Sequence, residues 1–298
     1  MNWTLSNARR IVDGSRNMPV VSLVAVMMLV LILLWANLTW IIIAPIQVLV
    51  VAGLLFEKIR TDPRFWCVMT ALLAGAIYWD WYPLDNHQYL FVYLSLALFC
   101  VFHLPEQRRK KVLALSGRIL LGAVMAAAVI WKAVTPDYLD GTFFHHALLT
   151  HPHLQNIAIA LGGISPEIIN TNEEQLHLLH FSYLTSVPVE SVTLQGASRI
   201  APLALFITWW TIGVEALLAV LFLWPRRLGG DHRFVFLARH ITLILFITAI
   251  YPLAPVIGFG WALIILGFAN CAEKPTIFRP IYIALMLFLL FAGYVNFV

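Results

Sequence analysis

The chain has 298 residues, of which 61% are hydrophobic and 11% are charged, and its mean hydropathy is +0.85. Soluble domains contain roughly 45–50% apolar and about 25% charged residues, so this composition excludes an ordinary soluble protein and indicates a polytopic membrane protein. The net charge of +4 does not indicate nucleic-acid binding, because the basic residues cluster at the ends of apolar segments.

Nine apolar segments follow one another along the chain, each about as long as the ~20 residues that a helix needs to cross the hydrocarbon core. Backbone polar groups in lipid must be paired within the segment, so we predict helices. The segments lie near residues 19–35, 39–56, 65–83, 89–104, 115–133, 201–224, 238–254, 256–270 and 278–297. The two short ones, 89–104 and 256–270, would be tilted, re-entrant or merged with a neighbour. The predicted fold is therefore an all-α polytopic bundle of eight or nine transmembrane helices in a single domain, residues 1–298.

Basic residues indicate how the chain is oriented. Nine spans with a cytoplasmic N-terminus put all five basic clusters on the cytoplasmic side, as the positive-inside rule requires. The clusters are Arg9, Arg10 and Arg16; Lys58 and Arg60; Arg108, Arg109, Lys110 and Lys111; Arg226 and Arg227; and Lys274 and Arg279. The one long hydrophilic segment, about residues 134–200, then lies on the outer side. It is too long for an ordinary connection, so we expect it to carry short helices.

Four polar residues in or beside the apolar segments are candidate site residues, because ionisable groups inside a membrane are costly and usually functional. Glu215 lies near the middle of its span and needs a partner or a proton. Lys132 lies near the outer end of another span, where it would also be explained by snorkelling to the headgroups. His240 begins a third span, and His87 lies in the turn "WDWYPLDNHQYL" on the outer side, where a plain interfacial role is the alternative.

The long outer loop is rich in histidine. On a helix, Glu173, His177 and His180 would share one face, which is a spacing that suits a metal. The loop contains no HExxH or CxxC motif, and the same residues fit a plain helix with its N-cap near Thr171 or Asn172. We therefore predict no metal site there. The loop's histidines and acids are His145, His146, His151, His153, Glu173, Glu174, His177 and His180.

Four stretches, in order and covering about residues 65–270, resemble the horizontally transferred transmembrane (HTTM) family, the membrane domain of vitamin K-dependent gamma-carboxylases and their bacterial relatives. "NHQYLFVYL" is similar to the family's Asn-His-x-Tyr-Leu stretch, and "WKAVTPDYLDG" to its span that ends in lysine. "VEALLAVLFLWPRR" resembles the glutamate-bearing span, and "RHITLILF" with "IGFGWALIIL" the histidine-bearing span and the segment after it. The resemblance implies a site at the outer membrane face, here of a bacterial cytoplasmic membrane.

The resemblance also carries roles to individual residues. His87 matches the family's histidine at the outer mouth, and Lys132 matches the first lysine of the carboxylase's lysine pair. Ala133 stands where the second, catalytic lysine belongs, and the 298 residues include no large soluble domain to bind a propeptide. Both departures argue against protein glutamate carboxylation itself. What remains implied is a hydroquinone oxidised beside a base, with Lys132 and His87 in acid–base roles and Glu215 and His240 tuning them.

Three functions stay open at this point. The first is a quinone- or lipid-linked redox or carboxylase-like enzyme at the outer membrane face. The second is a non-catalytic membrane subunit that packs against other membrane proteins. The third is a small-molecule transporter, although the sequence has no inverted repeat. Aromatic residues that would bind a planar quinone, or simply form an interfacial belt, are Trp79, Trp81, Tyr89 and Trp131, together with Tyr82 and Tyr138.

Overall fold

The structure is a computed structural model. It describes residues 18–36, 40–79, 87–181, 191–225, 232–251, 256–273 and 276–297, with the side chains of a few helix-end residues left out, among them His87, His180 and those from Ala292 on. The regular elements of these described ranges are all helical, as the apolar sequence predicts.

Each of the nine predicted apolar segments forms a helix within the described ranges. The helices are α1 (Val20–Trp35), α2 (Trp40–Leu55), α3 (Glu57–Arg60), α4 (Pro63–Trp79), α5 (His87–His103), α6 (Glu106–Val134), α7 (Pro136–Leu139), α8 (Thr142–Thr150), a 3₁₀ turn η1 (Pro152–Leu154), α9 (Gln155–Ala160), α10 (Pro166–Phe181), α11 (Ile200–Leu223), α12 (His232–Ile250), α13 (Ile257–Asn270) and α14 (Phe278–Phe297). Helix α6 begins nine residues before the predicted segment because its first turns carry the basic cluster.

Three helices of the described chain are long and apolar enough to cross a membrane: α6, α11 and residues 233–250 of α12. Five further apolar helices, α1, α2, α5, α13 and α14, are shorter within their described residues. Length and composition thus fit a membrane protein.

Three arginines in the first half of a helix bind carbonyl groups at the end of the helix before it. Arg109 donates to the carbonyls of Phe102 (3.0 Å) and Leu104 (2.9 Å) after α5. Arg239 donates to Leu221 and Trp224 at the end of α11, and Arg279 donates to Cys271 and Ala272 after α13. The last carbonyls of a helix have no partner within it and carry partial negative charge, so these guanidinium groups satisfy and neutralise three helix ends.

The chain divides into two compact units, residues 1–121 with 256–292, and residues 122–255 with 293–298. In the first unit, α13 is the central helix, and all of its residues except Phe259 are buried. Gly117 of α6 lies so close to α13 that a Cβ there would be 2.7 Å from the carbonyl oxygen of Leu266. Close by, the side-chain amide of Asn270 donates to the carbonyl of Ala114 at 3.1 Å.

In the second unit, residues 135–199 form a helical insert, described over 135–181 and 191–199, that packs against the first turns of α11. Its apolar core consists of Leu148, Leu149, Ala158, Ile164 and Ile169 together with Ile200 and Ala204 of α11. This confirms short helices in the long loop. The predicted N-cap at Thr171 or Asn172 is wrong, because α10 begins at Pro166.

Asn172 shows why the local sequence misled. Asn172 lies within α10, and its side chain is fully buried. It binds the non-helical segment at residues 191–197 that leads back to α11, rather than the end of a helix. It donates to the carbonyl of Gln195 at 2.8 Å and accepts the backbone N–H of Gln195 at 2.8 Å. A buried amide that pairs with another segment has the same one-letter signature as a cap, so only the tertiary contact distinguishes them.

Candidate functional site

Lys132 and Glu215 form a buried ion pair in the second unit. Nζ of Lys132 lies 2.5 Å from both carboxylate oxygens of Glu215, and the two side chains are only 12% and 11% exposed. The pair joins the last turn of α6 to the middle of α11. A buried carboxylate on an apolar helix needs such a partner, and the chain supplies one from a residue 83 positions away.

The local sequence of α11 explains why Glu215 points inward. Its buried positions recur every three or four residues, which is the spacing of one helix face. They are Ile200, Ala204, Thr208, Thr211, Glu215, Leu218, Ala219 and Phe222. This face is apolar at both ends and polar in its middle, so the helix buries one polar patch that contains Thr208, Thr211 and Glu215.

Two contacts show that α6 and α11 run antiparallel. Gly122 of α6 lies against Leu223 of α11, where an added Cβ would be 2.7 Å from Cγ of the leucine, and Lys132 pairs with Glu215. Helix α6 ends at Val134, just beyond Lys132, whereas Glu215 lies about 22 Å from the start of α11 at 1.5 Å per residue. The first half of α11 therefore extends past the end of α6 into the helical insert, and the ion pair lies at the junction.

Tyr138 lies beside the ion pair on the short helix that follows α6. The centre of its ring is 5.5 Å from Nζ of Lys132, and the ring stacks on Phe143 at 4.4 Å between centroids. Burial, and then the negative charge of Glu215, raise the pKa of Tyr138 to about 12. The phenol therefore stays protonated at neutral pH and is available as a hydrogen-bond donor.

The turn after Tyr138 depends on a glycine. Gly141 has φ of 83°, and a Cβ at this position would lie 3.2 Å from the backbone nitrogen of Leu205 in α11. Only glycine adopts this backbone conformation readily and allows so close an approach. The "YLDG" stretch thus packs Tyr138 against α11 next to the Lys132–Glu215 pair.

Tyr251 is a site residue that sequence reasoning missed. It follows α12 and is only 4% exposed. Its phenol lies within electrostatic range of the Glu215 carboxylate. A tyrosine at the end of an apolar span looks like an interfacial anchor, so the sequence carried no signal that this one approaches Glu215.

His240, which the sequence predicts to tune the site, is a residue of α12 in the second unit. It is fully buried, with the rings of Phe236 and Phe222 at 4.4 and 6.3 Å between centroids. Phe222 is seven residues beyond Glu215 on α11, about 10 Å along the helix axis. His240 therefore packs against two aromatic rings, and its predicted role in tuning the Lys132–Glu215 pair stays a prediction.

The remaining predicted site residues are not brought to the ion pair by any described contact. His87 is the first residue of α5, with its side chain outside the described residues, and Trp81 also lies outside them. Trp79 and Tyr89 are exposed and belong, like His87, to the first unit. Trp131 precedes Lys132 and is 68% exposed. The roles of His87 and of these four aromatic residues stay predictions.

The histidines of the insert do not assemble a metal site among the described residues: no three His, Cys, Asp or Glu side chains there are placed to hold an ion. Glu173 instead accepts a hydrogen bond from the side-chain amide of Gln155 at 2.5 Å. His177 stacks on Phe181 at 4.4 Å, and burial lowers the pKa of His151. A shallow groove of 430 Å³ runs past Thr150, Glu173 and His177.

Comparison with protein-family models, curated proteins and solved structures found no match to this chain. The resemblance to the HTTM family therefore stays a prediction.

Proposed function

We propose that this chain is an HTTM-type integral membrane protein of eight or nine spans that binds a quinone or another lipid-soluble molecule at the outer membrane face. Its N-terminus is cytoplasmic, its membrane is the bacterial cytoplasmic membrane, and its helical insert lies outside. The apolar composition, the basic residues at the ends of apolar segments and the eight apolar helices of the described chain support this proposal.

The Lys132–Glu215 pair is the observation that carries the proposed activity. The carboxylate of Glu215 accepts a proton from an acidic hydroxyl of the ligand, and the ammonium of Lys132 stabilises the oxyanion that results. Because both side chains are almost buried, these charges act in a medium of low dielectric constant, where they are stronger than in water. Tyr138 offers its hydroxyl as a donor to the same oxygen.

The aromatic surroundings of Lys132 support a planar ligand. The stacked rings of Tyr138 and Phe143, and Trp131 on the exposed side of α6, provide flat apolar surface next to the charged groups. Ala133, in place of the family's catalytic lysine, is exposed on the same turn. We therefore propose quinone- or lipid-linked acid–base chemistry and not glutamate carboxylation.

A non-catalytic membrane subunit is the second candidate, and the ion pair itself favours it. Lys132 is bound to both oxygens of Glu215, so the two charges satisfy each other without a ligand. A pair of this kind can hold α6 and α11 in register with no chemical role. In that case the exposed apolar faces would bind other membrane proteins.

The experiment that separates the two functions is solvent extraction and mass spectrometry of the purified, detergent-solubilised protein. Wild type is compared with Lys132→Met, Glu215→Gln, His87→Ala and the double variant Lys132→Met/Glu215→Leu, which removes both charges together. Lys111→Met is the matched control, because Lys111 is an exposed lysine at the other end of the same helix.

The enzyme hypothesis expects a stoichiometric quinone or lipid in wild type and Lys111→Met, and its loss in the double variant although that variant remains folded. A ligand retained in the double variant would contradict a site at the ion pair. Absence of any specific ligand from wild type would support the subunit, and co-purifying membrane proteins would then be sought. Loss of the ligand in His87→Ala would show that His87 is needed for binding.

A further inference from the structure

The side-chain hydroxyl of Thr208 is a buried polar group of the second unit. Thr208 is 0% exposed, and among the described residues its Oγ1 has no hydrogen-bond partner. Burying a hydroxyl without a hydrogen bond costs about 1–3 kcal/mol on the scale of protein mutations, and buried polar groups without a partner are rare in native proteins. A bound molecule that forms a hydrogen bond with this hydroxyl would remove that cost.

Thr208 lies on the same face of α11 as the ion pair. Thr211 is one turn further along, and Glu215 is one turn beyond Thr211. The hydroxyl of Thr211 lies 3.0 Å from the carbonyl of Ile207 and 2.8 Å from that of Thr208. Its hydrogen is used by these carbonyls, so its lone pairs remain available as acceptors. The three side chains form a continuous polar line about 10 Å long.

Glu215 has accepting capacity beyond the ion pair. An ionised carboxylate has about four lone-pair sites, and Lys132 occupies one on each oxygen. A small molecule between Glu215 and Thr208 would therefore find acceptors at one end and a hydroxyl at the other. Water fits this set, because buried water typically makes about three hydrogen bonds to otherwise unpaired groups.

No polar side chain continues this line from Thr208 toward the start of α11. Beyond Thr208 the buried face of α11 continues as Ala204 and Ile200, which belong to the apolar core of the helical insert. An apolar core does not hold water, so any hydration on this face ends at Thr208. The polar side chains of this face therefore do not continue into the insert.

We propose that Thr208, Thr211 and Glu215 hold an enclosed group of ordered water molecules, which extends the proton-accepting network of the Lys132–Glu215 pair along α11. A proton that reaches Glu215 is shared with this water. The use of the water in catalysis depends on the proposed function, but its presence does not, so the two are tested separately.

The test is X-ray radiolytic labelling of the purified full-length protein after mixing with H₂¹⁸O, read by mass spectrometry. Hydroxyl radicals formed from bound water oxidise nearby side chains, and Tyr251 is a buried reporter within electrostatic range of Glu215. We expect ¹⁸O incorporation at Tyr251 in wild type in spite of its 4% exposure, and at least a twofold loss in Thr208→Val. Thr208→Ser, which keeps the hydroxyl, retains the labelling.

Thr248→Val is the matched control. Thr248 is an exposed threonine of α12 whose hydroxyl is bonded to the carbonyl of its own helix at 2.9 Å, so its replacement leaves the labelling of Tyr251 unchanged. Unlabelled Tyr251 in wild type, or equal labelling in wild type and Thr208→Val, would overturn the proposal.

The melting temperature of the same variants gives a second readout with opposite signs for the two cases. If water binds Thr208, Thr208→Val removes hydrogen bonds and lowers the melting temperature, whereas relief of an unpaired hydroxyl raises it. A raised melting temperature would contradict the water site. Extraction of the same samples shows whether a quinone or lipid is bound, so loss of the proposed function and loss of the water site give different results.

Discussion

Helices α13 and α11 are the most informative helices of the two units, and they differ in what they bury. α13 buries almost its whole circumference, with the amide of Asn270 held by one carbonyl. α11 buries one face only, and that face carries Glu215 paired with Lys132. The apolar residues on its other face, among them Phe206, Trp209 and Val220, are exposed.

The comparison shows two ways to fix helices in a membrane protein. Lipid is as apolar as the side chains, so helices associate through close packing and polar contacts. The contact of α13 with Gly117 depends on shape, whereas the contact of α11 with α6 depends on a charge pair. We therefore expect the free energy of unfolding to fall most when volume is added to the first unit, and most when a charge of the second unit loses its partner.

The largest expected effect comes from breaking the ion pair. Lys132→Met or Glu215→Leu alone leaves a buried charge without its partner and should lower the free energy of unfolding by about 3–5 kcal/mol. Unfolding by denaturant in mixed detergent micelles measures the difference.

The double variant Lys132→Met/Glu215→Leu sharpens this prediction. It removes both charges and should recover most of the lost stability, because apolar replacement of a whole pair is often close to neutral. Equal losses in the single and double variants would mean that packing, and not the charge, explains the effect.

Added volume should disturb the first unit. In Gly117→Ala the new Cβ would lie 2.7 Å from the carbonyl oxygen of Leu266 and 3.1 Å from the backbone nitrogen of Asn270. The backbone must shift, and we expect a loss of about 1–3 kcal/mol in the free energy of unfolding.

Gly75→Ala is the control for this prediction. Gly75 lies inside α4, and a Cβ there meets nothing within 4 Å, so it should be neutral or stabilising by up to about 1 kcal/mol because alanine favours a helix. If both glycines respond alike, α6 and α13 are not in tight contact.

Two buried asparagines offer a comparison of hydrogen-bonding roles. Asn172 is bonded as donor and acceptor to Gln195, whereas Asn270 donates to Ala114 and its Oδ1 has no hydrogen-bond partner among the described residues. Asn172→Leu leaves two backbone groups unpaired and should cost about 2 kcal/mol, and Asn270→Leu about 1 kcal/mol. Thermal unfolding of the two variants should rank them in this order; the reverse order would show that the amide of Asn270 has the more important contacts.

Cysteine labelling measures how far a reagent reaches the buried core of the folded protein, and it needs no substitution. Cys67 and Cys100 are exposed and Cys271 is buried, and burial raises the pKa of the Cys271 thiol. A thiol reacts as its thiolate, so we expect N-ethylmaleimide to modify Cys271 at least about tenfold more slowly at pH 7.5. Peptide mass spectrometry follows each site, and the denatured protein, in which all three react, is the control.

The helices could be predicted from periodicity and composition, and Lys132 and Glu215 could be predicted as site residues from the chemistry of their side chains. The nine apolar segments could be predicted because a helix in lipid needs a long apolar run. Glu215 stood out because a carboxylate in a span is costly, and Lys132 stood out at its span end. Thr208 and Tyr251 could not be identified, because threonine and tyrosine are ordinary residues in apolar helices and their burial depends on distant neighbours.

The sequence by itself determined that the chain is helical and apolar and that its spans contain isolated charges, since these follow from residue type and local spacing. The tertiary structure decided that Lys132 pairs with Glu215, that Asn172 joins two segments of the insert and that His240 packs against Phe222 and Phe236. Such contacts join residues far apart in the chain, and local spacing carries no information about which distant side chain a buried polar group will meet.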